Sequence, residues 1–226
     1  MESTQSFPQA GIFAHLDQAA IDDLTKKAQT RIYQAGEWIV QNGDIWPFLF
    51  FINSGEVKAI KESFEGRSLI LTNLRDGEVF WGLAFFIPDA PMPASLQAAK
   101  DTELILWPRE SLLPLILSDG RLSWELSCLM IQRVQLAIEI VEKLAFHPVG
   151  GRLARLLVEF FGEDFQGPIT RSLTLDEMAA RIGSTREVVS RFLHRFSNQG
   201  LIEITRTEFS IVDRKGLQDL AQQVKG

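Results

Sequence analysis

From Arg121 to His147 the chain contains neither glycine nor proline, so nothing local interrupts an α-helix there. Within 119–145, Trp124, Ser127, Ile131, Val134, Ile138, Val141 and Ala145 recur at alternating intervals of 3 and 4. That spacing draws a narrow apolar stripe along one face, the seam of a coiled coil. It predicts a second copy of the chain against Trp124, Ile131, Val134, Ile138 and Val141. Leu126, Leu129, Leu136, Ile140 and Leu144 widen the stripe, so the helix is also expected to pack on its own chain. The pattern alone leaves open a helix buried wholly within one subunit. Cys128 lies on this helix; a redox switch is conceivable there, but a small packed side chain is the plainer reading.

A helix of this length divides the 226 residues into unlike halves. Upstream, RIYQAGEWIV, PFLFFINSGEVKAI, SLILTNLRDGEVF and ASLQAAKDTELILWP are short apolar or alternating runs bounded by glycine turns, the pattern of an antiparallel sandwich or barrel. Gly-Glu recurs at 36–37, 55–56 and 77–78, which fits repeated tight corners. The segment FWGLAFFIPDAPMPAS at 80–95 stands apart because it carries four aromatic side chains, three prolines and one charge.

Downstream, Phe146-His147-Pro148 ends the long helix. A second helix, GGRLARLLVEFFG, is expected to run to Gly162 as its C-terminal cap, with Pro148-Gly150-Gly151 as a candidate hinge. Residues 172–196, SLTLDEMAARIGSTREVVSRFLHRF, split into two short amphipathic helices around Gly183. Asp176 and Glu177 suit the first turn of the leading helix. Ser184, with Glu187 three residues on, reads as the N-cap and capping box of the second. This is the layout of a helix-turn-helix, whose second helix enters the major groove by its N-terminal end. On it Arg186, Glu187, Ser190 and Arg191 share one face. Arginine can bond guanine in a bidentate way and glutamate can accept from cytosine, so this face can read bases. LIEITRTEFSIVD then reads as a two-stranded wing with Arg206 at its tip.

Charge follows the same division. Residues 1–146 hold 12 Lys+Arg against 19 Asp+Glu, whereas 147–226 hold 11 against 10. Arg181, Arg186, Arg191 and Arg195 fall within fifteen residues of the second half. Nucleic-acid binding depends on where basic residues cluster and not on their total.

The run L-T-x-x-x-M-A-x-x-I-G-S-T-R-E-V-V-S-R followed by F-x-x-x-G-L-I resembles the winged helix-turn-helix of the CRP/FNR transcription-regulator superfamily. G-E-W-I-V-x-x-G-D…F-F-I-x-S-G-E-V-K is similar to the cyclic-nucleotide-binding-like β-roll of that superfamily. The resemblance covers about residues 11 to 212 and implies an α+β fold. Its expected parts are an N-terminal jelly-roll β-barrel sensor (1–118), a long dimerisation helix and hinge (119–146) and a C-terminal winged helix-turn-helix DNA-binding domain (147–226). It further implies a homodimer on promoter DNA at a palindrome with TGTGA-like or TTG-containing half-sites, RNA polymerase as a partner, and a small-molecule effector. By position it assigns Ser184, Thr185, Arg186, Glu187, Ser190, Arg191, Arg195 and Arg206 to DNA.

For the sensor the resemblance is instructive where it fails. Members that bind a cyclic nucleotide hold its phosphate with an arginine followed by a small hydroxyl residue, and its ribose with a glutamate. Here the glutamate's place is taken by Trp81-Gly82, and the arginine's by Met92-Pro93-Ala94-Ser95, in which only Ser95 matches. No basic residue occurs between Arg75 and Lys100. A phosphodiester buried without a cationic partner keeps its desolvation cost and loses its charge-assisted bonds. Cyclic AMP is therefore not the expected effector. The candidate pocket is apolar, formed by Phe80, Trp81, Gly82, Leu83, Phe85, Phe86 and Ser95, with Trp46, Phe48, Phe50 and Trp107 as further lining. A barrel filled by its own side chains, in a regulator without effector, is the alternative.

One cysteine and three scattered histidines, His15, His147 and His194, support neither a metal site, an iron–sulfur cluster nor haem. No nucleophile set or phosphate-binding glycine loop argues for an enzyme. No run reaches the length of a membrane span and the N-terminus does not read as a secretory signal, so the cytoplasm is the expected compartment. A ligand-binding or protein-interaction module is the alternative from another class, which salt-dependent, sequence-selective DNA binding would exclude.

Overall fold

The computed structural model describes residues 11–160, 169–170, 173–205 and 208–224. The chain forms two compact units, Met1–Lys61 with Leu71–Gln135, and Glu62–Ile70 with Leu136–Gly226. The boundary between Gln135 and Leu136 falls within the long helix.

In the first unit a short 3-10 turn (Gly11–Phe13) precedes α1 (Gln18–Lys27). The strands follow as β1 (Gln29–Tyr33), β2 (Trp38–Val40), β3 (Phe48–Ser54), β4 (Glu56–Glu62), β5 (Ser68–Arg75) and β6 (Val79–Trp81). A one-turn helix, α2 (Leu83–Phe86), leads to β7 (Ser95–Ala98), β8 (Thr102–Pro108), α3 (Arg109–Ser118) and α4 (Gly120–Phe146). Two four-stranded sheets, ordered β1-β8-β3-β6 and β2-β7-β4-β5, make the jelly roll.

Three of its corners share one construction. In Gln34–Glu37, Gln41–Asp44 and Arg75–Glu78 the third residue is a glycine with φ of 87°, 95° and 84°. The acidic fourth residue donates its N–H to the first residue's carbonyl, and its carboxylate accepts the first residue's N–H at 2.8–3.0 Å. Glycine supplies the left-handed backbone and the acid closes the turn from both sides. Gly55-Glu56 differs: Thr102 and Asp101 lie where a Cβ on Gly55 would go.

Within the sheet β1-β8-β3-β6 the inner strands β3 and β8 are buried on both faces, which explains why FLFFI and LILW read as unbroken apolar runs, whereas most of β1 is exposed. Phe50, Ile52, Leu104 and Leu106 point between the sheets with Trp46, Val57, Leu74 and Leu96. Leu49, Phe51, Ile105 and Trp107 point the other way, against Phe13, Leu24, Phe85, Leu112, Leu122 and Leu126. The α4 stripe is accordingly widened by Leu122 and Leu126, which are buried, and by Leu129, which packs beside them. Asp119 accepts the Leu122 N–H at 2.9 Å and receives His15 Nε2 at 3.2 Å, fixing the start of α4. The helix N–H bond, ahead of the His15 contact, holds the Asp119 carboxyl below the usual carboxylate range.

The second unit adds α5 (Val149–Phe160), β9 (Ile169–Thr170), α6 (Leu175–Ile182), α7 (Arg186–Asn198), β10 (Ile202–Ile204), β11 (Glu208–Ile211) and α8 (Arg214–Ala221). The wing is three-stranded, ordered β10-β11-β9, where the sequence pattern predicts two strands. Gly150 and Gly151 lie inside α5 as close-packing positions: a Cβ on them would meet Phe192 at 2.7 Å and the Leu220 carbonyl at 2.9 Å. Gly162 and Arg206 lie outside the described residues.

Candidate nucleic-acid interface

Local chemistry sets the helix-turn-helix before any packing does. Thr174 accepts the Glu177 N–H at 3.1 Å while the Glu177 carboxylate accepts the Thr174 N–H at 3.0 Å, a complete capping box at the start of α6. Gly183 ends α6 with φ 60°, and the Leu144 side chain stands 2.8 Å from where its Cβ would be. A left-handed glycine is therefore required twice over, by backbone and by space. Ser184 is drawn into this turn, its N–H donated to Ala179. The N-cap of α7 is consequently Thr185, whose hydroxyl accepts from Val188, and not Ser184. Glu187 closes no box with Ser184; its own backbone N–H and then the Thr185 hydroxyl hold its carboxyl below the usual range.

Val189, Leu193 and Phe196 bury one face of α7 against Leu153, Leu157, Met178, Ile182 and Leu217. At 100° per residue the opposite face collects Glu187, Ser190, Arg191 and His194, and Arg186 joins them from the exposed first turn. With Leu175 these five line an open concavity of about 460 Å³. Arg186 Nη1 is held by Asp176 Oδ2 at 3.1 Å, both side chains mostly exposed. Arg195 is exposed on the flank of this face and does not line the concavity. Arg181 turns away from it, with Nε buried and unpartnered among the described residues. Behind the motif Arg152 donates to the carbonyls of Ile182 (2.8 Å) and His147 (2.7 Å), and burial lowers its readiness to hold its proton. His194, Asp176 and Arg152 were not singled out from sequence as site residues. The seven-residue step from Glu187 to His194 was the available signal for the first.

Along α4 the seam residues are open: Trp124 is 70% exposed, Ile131 60%, Val134 59%, Ile138 60% and Val141 65%. Ser127 and Ala145 are exposed with them.

The aromatic side chains of the β6–β7 segment do not form one wall. Successive residues of a strand face opposite ways, so Phe80 joins Trp46, Phe48 and Phe50 between the sheets. Trp81, Phe85, Phe86 and Trp107 belong to the separate core beneath the helices. Leu83 is partly exposed. Gly82 is pressed against the chain at Trp46, whose carbonyl oxygen lies 1.9 Å from any Cβ placed there. Ser95 is buried and its hydroxyl accepts the Asn42 N–H at 2.9 Å. Lys61 ties the same corner by donating to Asn42 Oδ1 and the Pro93 carbonyl. On the α4 side, Arg133 donates to Glu78 at 2.9 Å and its guanidinium lies over the Phe80 ring at 5.6 Å.

Comparison with known proteins covers both units. A family described as "Crp-like helix-turn-helix domain" matches residues 151–220, and one described as "Cyclic nucleotide-binding domain" matches residues 30–119. The chain is 28% identical over 214 residues to the CRP-like cAMP-activated global transcriptional regulator of Mycobacterium tuberculosis, covering 92% of this chain and 95% of the relative. It is 28% identical over 210 residues to the cyclic AMP receptor protein of Thermus thermophilus, covering 93% and 96%. Among solved structures, a crp/fnr-family regulator from Eubacterium rectale superposes with a TM-score of 0.79 at 24% identity, over 94% of this chain and 98% of that one. A CRP/FNR-family regulator from Thermus thermophilus superposes with a TM-score of 0.69 at 26% identity, over 87% and 100%.

Proposed function

Because the chain belongs to the CRP/FNR family of transcriptional regulators, we propose that it works as a homodimer on a palindromic promoter site and that its β-roll does not take cyclic AMP. Its relatives are regulators and not enzymes. The observation that carries the DNA reading is the outward face of α7. Arg186, Glu187, Ser190 and Arg191 stand together on a helix whose other face is fully buried, with its N-terminal end open. Laid in the major groove, Arg191 and Arg186 read guanine edges and Glu187 accepts from cytosine. Arg195, on the flank, meets the backbone. Two such helices, one per protomer, read half-sites about one helical turn apart.

Dimerisation is supported by the α4 seam. A large apolar side chain contributes roughly 1.5–3 kcal/mol when fully covered, and five in a row stand open at heptad spacing. A parallel copy covers all five at once. A dimer so built presents both α7 helices to one face of promoter DNA, where RNA polymerase is the expected partner.

The relatives named for cyclic AMP make the sensor the place where this chain departs. At Gly82 there is no room for a ribose-binding carboxylate, and Ser95 already serves Asn42. An apolar or amphipathic effector suits the side chains that do face the barrel interior, Trp46, Phe48, Phe50 and Phe80. A regulator with no small effector is favoured by Trp46, Phe50 and Phe80, whose tilted rings pack together between the sheets at centroid distances of 5.3 and 6.0 Å. Under that reading Arg133, bound to Glu78 and Phe80, is a built-in link between barrel and helix.

Replacing Arg191 by alanine tests the DNA reading. Affinity for a palindrome that the purified chain selects from random duplexes should fall by about 1–3 kcal/mol, with one base position relaxed per half-site. A loss no larger than that caused by Lys215→Ala, at an exposed position on α8, contradicts it.

A further inference from the structure

We propose that His194 is a phosphate contact of the α7 face and that its protonation makes DNA affinity rise as pH falls. The inference rests on α7 docking in the major groove. His194 follows Glu187 by seven residues, so the two stand almost in line along the helix, with Ser190 and Arg191 between them in the same concavity. The imidazole is exposed and makes no hydrogen bond or ion pair with any described residue. In a groove-bound recognition helix the N-terminal turn meets the base edges. His194, about two turns beyond Glu187 and the last residue of this face to line the concavity, has left the bases and faces the phosphates bordering the groove.

The charged groups around it decide the sign. On α7 itself Arg191 precedes His194 by three residues and Arg195 follows directly. Glu187 lies about 10 Å back along the axis, about one Debye length at moderate salt. Its carboxyl is held below the usual range, so it stays ionised throughout the interval in which imidazoles titrate. From α6 the lining residue is the apolar Leu175. The neighbouring Asp176 is engaged by Arg186. No carboxylate at contact distance among the described residues neutralises an imidazolium here, so the groove-facing surface gains a full positive charge when His194 takes a proton. A phosphate favours the charged form through a charge-assisted bond. Binding therefore takes up a proton, and affinity grows as pH falls.

The experiment measures affinity for the selected palindrome and for unselected duplex DNA at about pH 6 and about pH 8, over a range of salt. It compares the wild-type chain with His194→Gln, His194→Lys and Arg191→Ala. Wild type should bind more tightly at the lower pH, with a salt slope steeper by about 0.9 per protomer. His194→Gln should be pH-independent and resemble wild type at the higher pH; His194→Lys should be pH-independent and resemble wild type at the lower. The two variants should share the wild-type melting temperature, which separates the effect from folding. A wild-type pH profile retained by His194→Gln, with His15 and His147 intact, overturns the proposal, as does a pH-independent wild type. If Arg191→Ala weakens selective binding while His194→Gln changes nothing, only the role of His194 fails. If neither variant has an effect, the docking of α7 fails with it.

Discussion

Two stretches of comparable length, residues 80–95 and 184–198, lie at the proposed sensor and on the proposed DNA-reading helix. They have been resolved in opposite ways. Along α7 the apolar residues retreat to one face and leave Arg186, Glu187, Ser190, Arg191 and His194 outside, with Asp176 as an internal partner of Arg186. Along 80–95 several hydrogen-bonding groups are already engaged within the chain, while the one charge, Asp89, stays exposed: Ser95 serves Asn42, Lys61 clasps Pro93, and the Gly82 amide donates to Phe48. Polar groups left without internal partners at a surface are free to recognise something else. Groups already paired must first break what they hold, at a cost of about 1–3 kcal/mol each when buried. One stretch therefore leaves its polar groups available to a partner, as the proposed reading surface requires, and most of the other packs into the barrel.

The comparison breaks most readily at the seam that would bring two reading surfaces together. Val134→Asp with Ile138→Asp places two carboxylates per chain in the α4 stripe. It should yield monomers by analytical ultracentrifugation and lower affinity for the palindrome by more than the about tenfold loss expected of a single contact. Binding undiminished in such a monomer would detach DNA recognition from α4.

The sensor side is challenged by Gly82→Glu, which restores in name the residue that the family uses for a ribose. Trp46 occupies the space, so the chain should lose about 1–3 kcal/mol of stability from overpacking and gain no affinity for cyclic AMP by calorimetry. A stable variant that binds the nucleotide would show that the barrel is open after all.

The smallest effect concerns pH in the first unit. Asp119 has a depressed folded-state pKa, so its contribution is present above the unfolded carboxylate value near 4 and is lost as pH falls through the lower folded one. Its side chain is partly exposed, which keeps the effect small. Asp119→Asn keeps a capping oxygen for Leu122 and removes the charge. Its thermal midpoint should change less than that of wild type between about pH 5 and pH 3; an identical acid response would assign that loss to other carboxylates.

Much of this was legible in the sequence because surface chemistry repeats at fixed intervals. The heptad positions of α4, the face of α7 and the glycine corners all follow from periodicity. The capping of α7 was misread for a definite reason. Thr174-x-x-Glu177 and Ser184-x-x-Glu187 have the same spacing, and the αL turn at Gly183 takes Ser184 for itself. The aromatic segment was ambiguous because a strand buried on both faces shows no alternation, so side chains of two cores read as one wall. Helices α1, α3 and α8 carried weaker local signals, α3 with Pro114 inside it. His194 passed as a structural histidine because its meaning depends on which face of α7 is buried.

A chain that reads DNA through α7 and whose sensor is closed to cyclic nucleotides binds its selected palindrome alike with and without them. The deciding measurement is the affinity of the purified chain for that palindrome, against a scrambled duplex, with and without saturating cyclic AMP. Strong, salt-dependent preference for the palindrome, unchanged by the nucleotide, is the expected result. A gain of about tenfold on adding cyclic AMP, or equal binding to both duplexes, overturns this reading.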